Sequence, residues 1–203
     1  MEALMKDHVC APSRRRMLAS GAIGLTGLWV CGNAALAEQG LAPTPACHDG
    51  DEPTLPETEG PFFKPRSPQR SDLREPGIDG QPVELSGYVR TRLCRPIPGV
   101  LVDLWHADEK GDYDNKGFRL RGHVFTDAEG RFLFRTIMPG LYPGRTRHYH
   151  LKIQAPGQRS VLTTQFYFPG EKQNRSDGLF RRELVMHVAK ADDRLLARYD
   201  VIL

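Results

Sequence analysis

Two histidines with strand spacing are the first residues that could do chemistry. His148 and His150 alternate with Tyr149, Leu151 and Ile153 in the stretch HYHLKI. Successive side chains of a β-strand point to opposite faces, so the two imidazoles share one face and the apolar side chains the other. This stretch alone is compatible with an exposed polar face of a half-buried strand and equally with a pair of ligands.

Two tyrosines lie where they could join this pair. Tyr142 is in the Pro/Gly turn that enters the histidine strand, and Tyr113 is in a polar loop after the apolar stretch GVLVDLWHA. Imidazole binds several transition metals, and a phenol becomes a good ligand when a strong Lewis acid removes its proton. Two phenolates and two imidazoles therefore suit a hard trivalent ion, ferric iron above all, whereas zinc sites use Cys, His and carboxylates. Taken singly, each tyrosine is also compatible with an ordinary turn or rim position.

The elements that must position these residues are short strands. The chain has 203 residues with 20 Gly and 16 Pro, a composition typical of a turn-rich fold. From Pro82 onward apolar and polar residues alternate, and GVLVDLWHA is apolar at nearly every position, which indicates burial on both faces. One short helix is possible around residues 189–197. The pattern predicts an all-β fold, an antiparallel sandwich or barrel with long loops that carry the metal site. The predicted strands are PVELSGYVR, GVLVDLWHA, FRLRGHVFT, GRFLFRT, HYHLKIQA, VLTTQFYF, ELVMHVAK and LLARYDVIL.

The N-terminal segment has the features of a targeting signal. Ser13, Arg14 and Arg15 precede a weakly apolar, Gly/Ala-rich run that ends in the A-x-A cleavage pattern at residues 35–37. The Ser-Arg-Arg pattern resembles a twin-arginine (Tat) signal. We therefore expect a signal peptide at residues 1–37, a lead-in arm at 38–56 and the folded domain at 57–203. Removal of the signal by the Tat export route would leave a periplasmic protein without a stable membrane anchor; the alternative is that the apolar run itself is an anchor.

The cysteines and the charge limit the other possibilities. Cleavage after Ala37 leaves Cys47 and Cys94, which an oxidising compartment allows to pair; two unrelated thiols are equally compatible with the sequence. The cysteines lack C-x-x-C spacing, which argues against a Cys-based zinc site. The formal net charge is +3 with no basic stripe among aromatic residues, so no nucleic-acid partner is expected. The oligomeric state stays open.

Five motifs, in order over about residues 54–168, resemble those of the intradiol ring-cleavage dioxygenases, the family of protocatechuate 3,4-dioxygenase and catechol 1,2-dioxygenase. The motifs are TEGPFF, GVLVDLWHADEKGDYDN, TDAEGRFLFRTIMPGLYPGR, RTRHYH and TTQFYF. The resemblance implies a β-sandwich and an enzyme that cleaves a catechol-type ring with O2 to a muconate-type diacid.

The resemblance also implies roles for individual residues. It makes Tyr113, Tyr142, His148 and His150 the ligands of Fe(III), and by position Tyr142 the ligand that leaves the iron and helps to accept a proton. It places two further catalytic groups beside the iron, Arg145, which would stabilise developing charge on the ring, and Gln165, which would help to orient the same group.

The resemblance is incomplete in the parts that shape a substrate pocket. The segments from Tyr113 to Tyr142 and from Tyr142 to His148 are shorter than in the protocatechuate enzymes, so the identity of the catechol stays open. The helical dimerisation segment of catechol dioxygenases has no counterpart. A second hypothesis is a non-catalytic transthyretin-like or carboxypeptidase regulatory-like β-sandwich module, which shares IPGVLVDLW and TDAEGRFLFRTIMPGLY but does not require R-x-x-H-x-H or the loop tyrosine.

Four other residues receive more ordinary interpretations. His106 and His123 lie in strands and are expected to be structural, and His187 has no assigned role. Arg147 is interpreted as a surface or substrate-side charge.

Overall fold

A computed structural model describes residue 47 and residues 50–203 of the chain. The described part has nine strands, arranged in two sheets with the order β4-β1-β8-β7, to which β9 adds beside β1, and β3-β2-β5-β6. This is the predicted all-β sandwich. The strands are β1 Pro82–Arg90, β2 Leu101–Trp105, β3 Arg121–Phe125, β4 Arg131–Ile137, β5 His148–Gln154, β6 Leu162–Tyr167, β7 His187–Lys190, β8 Leu195–Arg198 and β9 Val201–Ile202.

The alternating pattern of β1 gives the first sheet one buried face. Val83, Leu85, Gly87 and Val89 are buried and the residues between them are half-buried, as a period of two residues requires when one face packs on a core. At Gly87 an added Cβ would lie 1.8 Å from the Tyr199 carbonyl oxygen and 2.8 Å from the Phe132 ring. The Tyr199 backbone and the Phe132 ring can therefore pack against β1 at this point only because Gly87 has no side chain.

The second sheet is buried on both faces over its central strands. Val102 and Leu104 of β2 and Tyr149 and Leu151 of β5 belong to the core between the sheets. Trp105 and the two histidines, on the opposite face, are only 1–4% exposed. The interpretation of the histidine side as an exposed polar face is therefore wrong, because another segment of the chain lies over it.

Residues 189–197 do not form a helix. They complete β7, turn and enter β8, and the two strands pair antiparallel from His187 opposite Arg198 to Lys190 opposite Leu195. The turn is closed by the Ala191 N–H, which donates to the Arg194 carbonyl at 2.8 Å. The predicted strand at 183–190 is shorter than expected, because Arg182–Leu184 form a 3₁₀ turn. The sandwich is also not purely antiparallel, since β1 pairs in parallel with β8 and with β9.

The chain before β1 is fixed to the domain by covalent and hydrogen bonds. Cys47 and Cys94 form a disulfide with a Cα–Cα distance of 5.6 Å, so the pairing that the sequence left open is present. The Thr54 N–H donates to the Ile202 carbonyl at 3.0 Å. The predicted signal at residues 1–37 lies outside the described residues. Within the described residues, no helix has the length and apolar character needed to cross a membrane.

Candidate metal centre

A row of side chains crosses the outer face of the second sheet. Strand register places Trp105 opposite Arg121 on one side and opposite His150 on the other, and His150 opposite Gln165. His148 lies two residues before His150 on the same face. The four strands thus set Arg121, Trp105, His150 and Gln165 side by side, and three of these are not adjacent in sequence to any predicted ligand.

Two glycines bring the tyrosine loops together. An added Cβ at Gly111, near Tyr113, would lie 2.2 Å from the Leu141 carbonyl oxygen, and one at Gly140, near Tyr142, would lie 2.4 Å from the Gly111 nitrogen. Gly111 also has φ +94°, a conformation that favours glycine. The backbones of the two loops therefore touch where no side chain fits, which places the two phenol rings 6.1 Å apart between centroids.

The four predicted ligands converge on one region. Nε2 of His148 lies 3.0 Å from Nε2 of His150 and 3.4 Å from the Tyr113 hydroxyl. The Tyr113 ring centroid is 6.0 Å from the ring of His150. The structure thus brings Tyr113, His148 and His150 together, and it places the Tyr142 ring 6.1 Å from that of Tyr113.

The electrostatics keep both imidazoles neutral. Burial and, to a smaller extent, the nearby Arg145 cation lower the pKa of His148 to about 4. Burial, His148 and Arg145 together hold the pKa of His150 well below its usual value. Burial raises the pKa of the Tyr113 phenol, and the Arg145 and Arg121 cations lower it by a smaller amount. Without a metal, Tyr113 is therefore a neutral phenol, and a cation would be needed to draw off its proton.

The donor set fits a metal ion. Nδ1 of His148 lies 2.6 Å from the Thr146 carbonyl oxygen, so it donates its proton there and Nε2 carries the lone pair. Nδ1 of His150 is buried without a hydrogen-bond partner, while its Nε2 faces that of His148. The two ring nitrogens face each other beside the Tyr113 hydroxyl, and the Tyr142 ring lies 6.1 Å from that of Tyr113. With the Tyr142 oxygen as a fourth donor, these side chains would make an N2O2 set of the kind that suits a hard, trivalent ion such as Fe(III).

Arg145 and Gln165 contact each other beside this set. Nη2 of Arg145 donates to Oε1 of Gln165 at 2.5 Å, and Nε2 of Gln165 donates to the Thr58 carbonyl at 2.9 Å. Nε of Arg145 also pairs with Asp177, at 2.9 Å to Oδ2. Both residues that the sequence proposed as catalytic groups are thus held in fixed positions next to the histidines.

Residues 54–67, which we call the cover segment, lie over the outer face. Thr164 donates through Oγ1 to the Leu55 carbonyl, and the Glu57 N–H donates to the Thr163 carbonyl, each at 2.8 Å. Gly60 has φ +70°, and an added Cβ there would be 3.3 Å from Cε1 of His150. The cover segment therefore excludes solvent from the face that bears the histidines.

Aromatic side chains fill the space around the candidate ligands. Phe62 of the cover segment stacks on Tyr113 with 4.3 Å between centroids and meets Tyr142 edge-on at 5.5 Å. Trp105 stacks on His150 at 5.0 Å and 7°. Arg121, 1% exposed, donates to the Phe62 carbonyl at 2.7 Å and to the Asp114 carbonyl at 3.1 Å. It thereby joins the cover segment to the loop of Tyr113.

Three other histidines of the described residues, His106, His123 and His187, lie outside this cluster. His106 is in the core, with its ring nitrogens 2.6 Å from Oγ1 of Thr136 and 2.7 Å from the Ala107 carbonyl, a structural position as predicted. His123 lies 3.1 Å from Oγ of Ser67, and His187 is exposed on β7. Arg147 is not a free surface charge: it forms an ion pair with Glu171 at 3.4 Å and donates to the Pro139 carbonyl.

Sequence reasoning missed three participants, Trp105, Arg121 and Asp177. The first two could have been found, because alternation in β2 and β3 places them on the face opposite to the core. Asp177 follows the 3₁₀ turn Lys172–Arg175 in a Gly/Asn/Ser-containing loop. Nothing in the local sequence pattern marks it.

Comparison with known proteins gives the class. The model of a family described as "Dioxygenase" matches residues 58–203, most of the described domain. The chain belongs to this family of intradiol ring-cleaving dioxygenases.

Individual relatives agree with the family. The chain is 32% identical to the protocatechuate 3,4-dioxygenase beta chain of Burkholderia cepacia over 139 residues, covering 60% of this chain and 57% of the relative. It is 31% identical to catechol 1,2-dioxygenase 2 of Acinetobacter lwoffii over 174 residues, covering 71% and 63%. With two further curated relatives included, the chain spans 49% to 63% of their lengths.

Among solved structures, the chain resembles the dioxygenase domain of a dioxygenase carbohydrate-binding protein fusion from Streptomyces sp. SirexAA-E. The sequence identity is 53% and the TM-score 0.73, over 75% of this chain and 98% of that one. 3-Chlorocatechol 1,2-dioxygenase of Rhodococcus opacus 1CP has 26% identity and a TM-score of 0.69, over 74% and 72%.

Proposed function

We propose that this protein is an Fe(III)-dependent intradiol dioxygenase that cleaves a catechol-type ring between its two hydroxyl-bearing carbons, using O2, to a muconate-type diacid. The observation that carries the proposal is the clustering of Tyr113, His148 and His150, with His148 Nε2 3.0 Å from His150 Nε2 and the Tyr142 ring 6.1 Å from that of Tyr113. A transthyretin-like module has no need of that clustering. The family match and the catechol and protocatechuate dioxygenases among the relatives support the same choice.

The four converging side chains would hold the iron. Ferric iron held there would supply a Lewis acid that activates a catechol toward O2. The two imidazoles suit this role because they stay neutral, and Thr146 orients His148 so that Nε2 faces the site.

We infer from the family resemblance that Tyr142, and not Tyr113, is the proton acceptor. Both tyrosines are half-buried, whereas His148 and His150 are 4% and 3% exposed. A phenolate oxygen at this rim would accept a proton from a substrate hydroxyl as the catechol enters. Tyr113 is stacked under Phe62 and would remain in place.

Arg145 and Gln165 would act on the ring itself. Attack by O2 places charge on a ring carbon in a site from which the cover segment excludes water, and a fixed guanidinium stabilises that charge without reorganising. Arg keeps its proton under these conditions, which a buried Lys would not. Gln165 fixes the direction of the guanidinium through Oε1.

We further propose that the protein is exported by the Tat route to the periplasm. Ser13, Arg14 and Arg15 and the A-x-A pattern support this proposal. The Cys47–Cys94 disulfide agrees with an oxidising compartment. Because this route carries folded proteins, iron could be loaded before export.

The first test is the colour and metal content of the purified protein. We expect a red-brown protein with one iron per chain, because tyrosinate-to-iron charge transfer absorbs visible light, and O2 uptake with at least one member of a panel of catechols. Tyr142→Phe and His148→Ala should each lose iron and colour. Tyr88→Phe and His187→Ala serve as matched controls on other strands and should keep both.

Two outcomes would overturn the assignment. Full iron occupancy in both ligand variants would show that the metal lies elsewhere. A colourless, iron-free parent that consumes no O2 with any catechol would favour the non-catalytic module.

A further inference from the structure

Asp177 is a buried carboxylate in the loop between β6 and β7, and it faces the segment that enters β5. Its residue exposure is 7% and that of its side chain 1%. Oδ2 accepts the Thr146 N–H at 2.9 Å, and Oδ1 accepts the Leu179 N–H at 2.9 Å. Nε of Arg145 donates to the same carboxylate, at 2.9 Å to Oδ2 and 3.1 Å to Oδ1. Both oxygens are thus fixed by backbone groups, and the arginine is held by a carboxylate that cannot turn.

Arg145 is held at two of its nitrogens. Asp177 engages Nε, and Nη2 donates to Oε1 of Gln165 at 2.5 Å. Gln165 is fixed in turn, since Nε2 donates to the Thr58 carbonyl at 2.9 Å and the Tyr167 hydroxyl donates to Oε1 at 3.1 Å. A guanidinium with two fixed acceptors lies in one plane and one direction.

One nitrogen of the guanidinium is left for a ligand. In the described residues, 47 and 50–203, the hydrogen bonds of Arg145 run through Nε and Nη2 and Nη1 makes none, while the Tyr167 hydroxyl also lies near the guanidinium. The two contacts that fix the side chain therefore leave a donor that could face a substrate.

We propose that Asp177 is a positioning residue for ring cleavage: its carboxylate holds Arg145 so that the guanidinium faces the carbon on which charge develops. The proposal rests on the proposed function and adds a residue to it. Displacing a charge-stabilising group by about 1 Å costs up to about a hundredfold in rate. The described contacts of the Asp177 side chain are with Arg145, the Thr146 N–H and the Leu179 N–H and not with the four candidate ligands, so its direct partner among the proposed catalytic groups is Arg145.

The alternative is that Asp177 only anchors its loop, and a second residue of the loop separates the two roles. Oδ1 of Asn174 accepts from Thr146 Oγ1 at 2.5 Å, and Nδ2 of Asn174 donates to the Phe168 carbonyl at 3.0 Å. Asn174 thus ties the same loop to the same entry segment without contacting Arg145. Asn174→Ala is the matched control.

The test compares iron-loaded parent, Asp177→Asn and Asn174→Ala on the best catechol. Asp177→Asn keeps the shape of the side chain but removes the charge that holds Arg145. We expect its iron content and colour to match the parent, its kcat to fall by about tenfold or more, and its KM to change by less than about threefold. Asn174→Ala should lower the thermal midpoint about as much as Asp177→Asn does, but it should keep kcat within about twofold of the parent. Asp177→Glu, which keeps the charge, should recover part of kcat.

A double-mutant cycle with Arg145→Leu tests whether Asp177 acts through the arginine. Residues that act as one unit are not additive, so Asp177→Asn should cost less than about twofold further when Arg145 is already Leu. A readout independent of turnover is the Arg145 Nε–H resonance in 15N-arginine-labelled protein prepared without iron, whose paramagnetism would broaden the signal. Its exchange with water should be slow in the parent and in Asn174→Ala, and fast in Asp177→Asn.

The outcomes separate this proposal from the proposed function. If the parent turns over catechol, any one of three results overturns the role of Asp177 alone. These are a kcat for Asp177→Asn within twofold of the parent, a full additive loss in the double variant, and slow Nε–H exchange in Asp177→Asn. If Asp177→Asn does not fold, Asp177→Ser, which also removes the charge, decides by the same comparison of kcat and Nε–H exchange. A parent without iron or turnover overturns the proposed function and the reaction assigned to Asp177 with it.

Discussion

The disulfide between Cys47 and Cys94 should carry a large part of the stability of the domain. It closes a loop with a sequence separation of 47 residues. In the chain-entropy description, a cross-link over a loop of this length removes enough freedom from the unfolded chain to stabilise the folded state by about 4 kcal/mol. Contacts that the disulfide makes in the folded protein add little to this free energy, because the bond joins the lead-in arm to a surface turn.

The perturbation is the double substitution Cys47→Ser/Cys94→Ser. Each kcal/mol shifts the thermal midpoint of a domain of this size by about 2–4 °C, so about 4 kcal/mol corresponds to about 8–16 °C. The urea midpoint should fall correspondingly, and the slope m should rise because the unfolded chain without the cross-link exposes more surface.

Activity should change much less than stability. The cover segment keeps its own hydrogen bonds to Ile202, Thr163 and Thr164 after the cross-link is lost. We therefore expect iron content and turnover at 25 °C within about twofold of the parent, since the perturbation acts mainly on the unfolded state.

The assay is urea unfolding followed by tryptophan fluorescence, with Cys10 and Cys31 replaced by Ser in both proteins. The parent is measured with and without reductant, and mass spectrometry establishes whether the bond is present. Reductant should move the midpoint of the parent to that of the Ser variant and leave the variant unchanged. If an intact disulfide and its loss give the same urea midpoint, the loop-entropy argument fails here; two free thiols in exported protein would refute the bond itself.

Two further predictions concern the reaction and the route of export. Arg145→Leu should keep fold, iron and colour but lower turnover on the best catechol by about a hundredfold or more, because it removes the charge beside the ring. The rate of O2 uptake measures this turnover. A turnover within a few-fold of the parent would mean that Arg145 does not act on the reaction. Replacing Arg14 and Arg15 by Lys should keep the protein in the cytoplasm, as fractionation and blotting would show, whereas unchanged export would point to another route.

The sequence predicted most of the fold because the strands have a strong period. Eight predicted strand segments cover the nine observed strands except for Ile137 at the end of β4, and the buried positions of β1 follow the alternation. The helix expected at residues 189–197 failed for a physical reason: Ala, Leu and Arg have good helix propensity, but pairing of β7 with β8 and of β8 with β1 outweighs local preference. The parallel pairing of β8 and β9 with β1 depends on long-range contacts that no local period shows.

Part of the candidate site can likewise be predicted from local sequence, and part depends on residues that are distant in sequence. His148 and His150 share a face through spacing alone, and motifs point to both tyrosines. Asp177 is 32 residues away from Arg145 in sequence, and its loop has no period that would place it near the site. The close approach of Gly111 to Gly140 likewise follows from the meeting of two loops, and no property of either loop alone predicts it.

The burial of the histidine face explains why the cover segment belongs to the site. A sheet face that bears two imidazoles, an arginine and a glutamine would take up water if it were exposed, and both histidine pKa values would then lie near their ordinary range. Under the cover segment, Phe62 packs on Tyr113, Gly60 touches His150, and Thr58 fixes Gln165. One segment thus shields the candidate ligands, contacts a tyrosine and orients the amide that holds Arg145. Because Thr58, Gly60 and Phe62 lie within five residues of one another, a change that lifts the cover segment should disturb metal binding and the position of Arg145 together. A change at Asp177 should act mainly on the position of Arg145, because the described side-chain contacts of Asp177 do not include a candidate ligand.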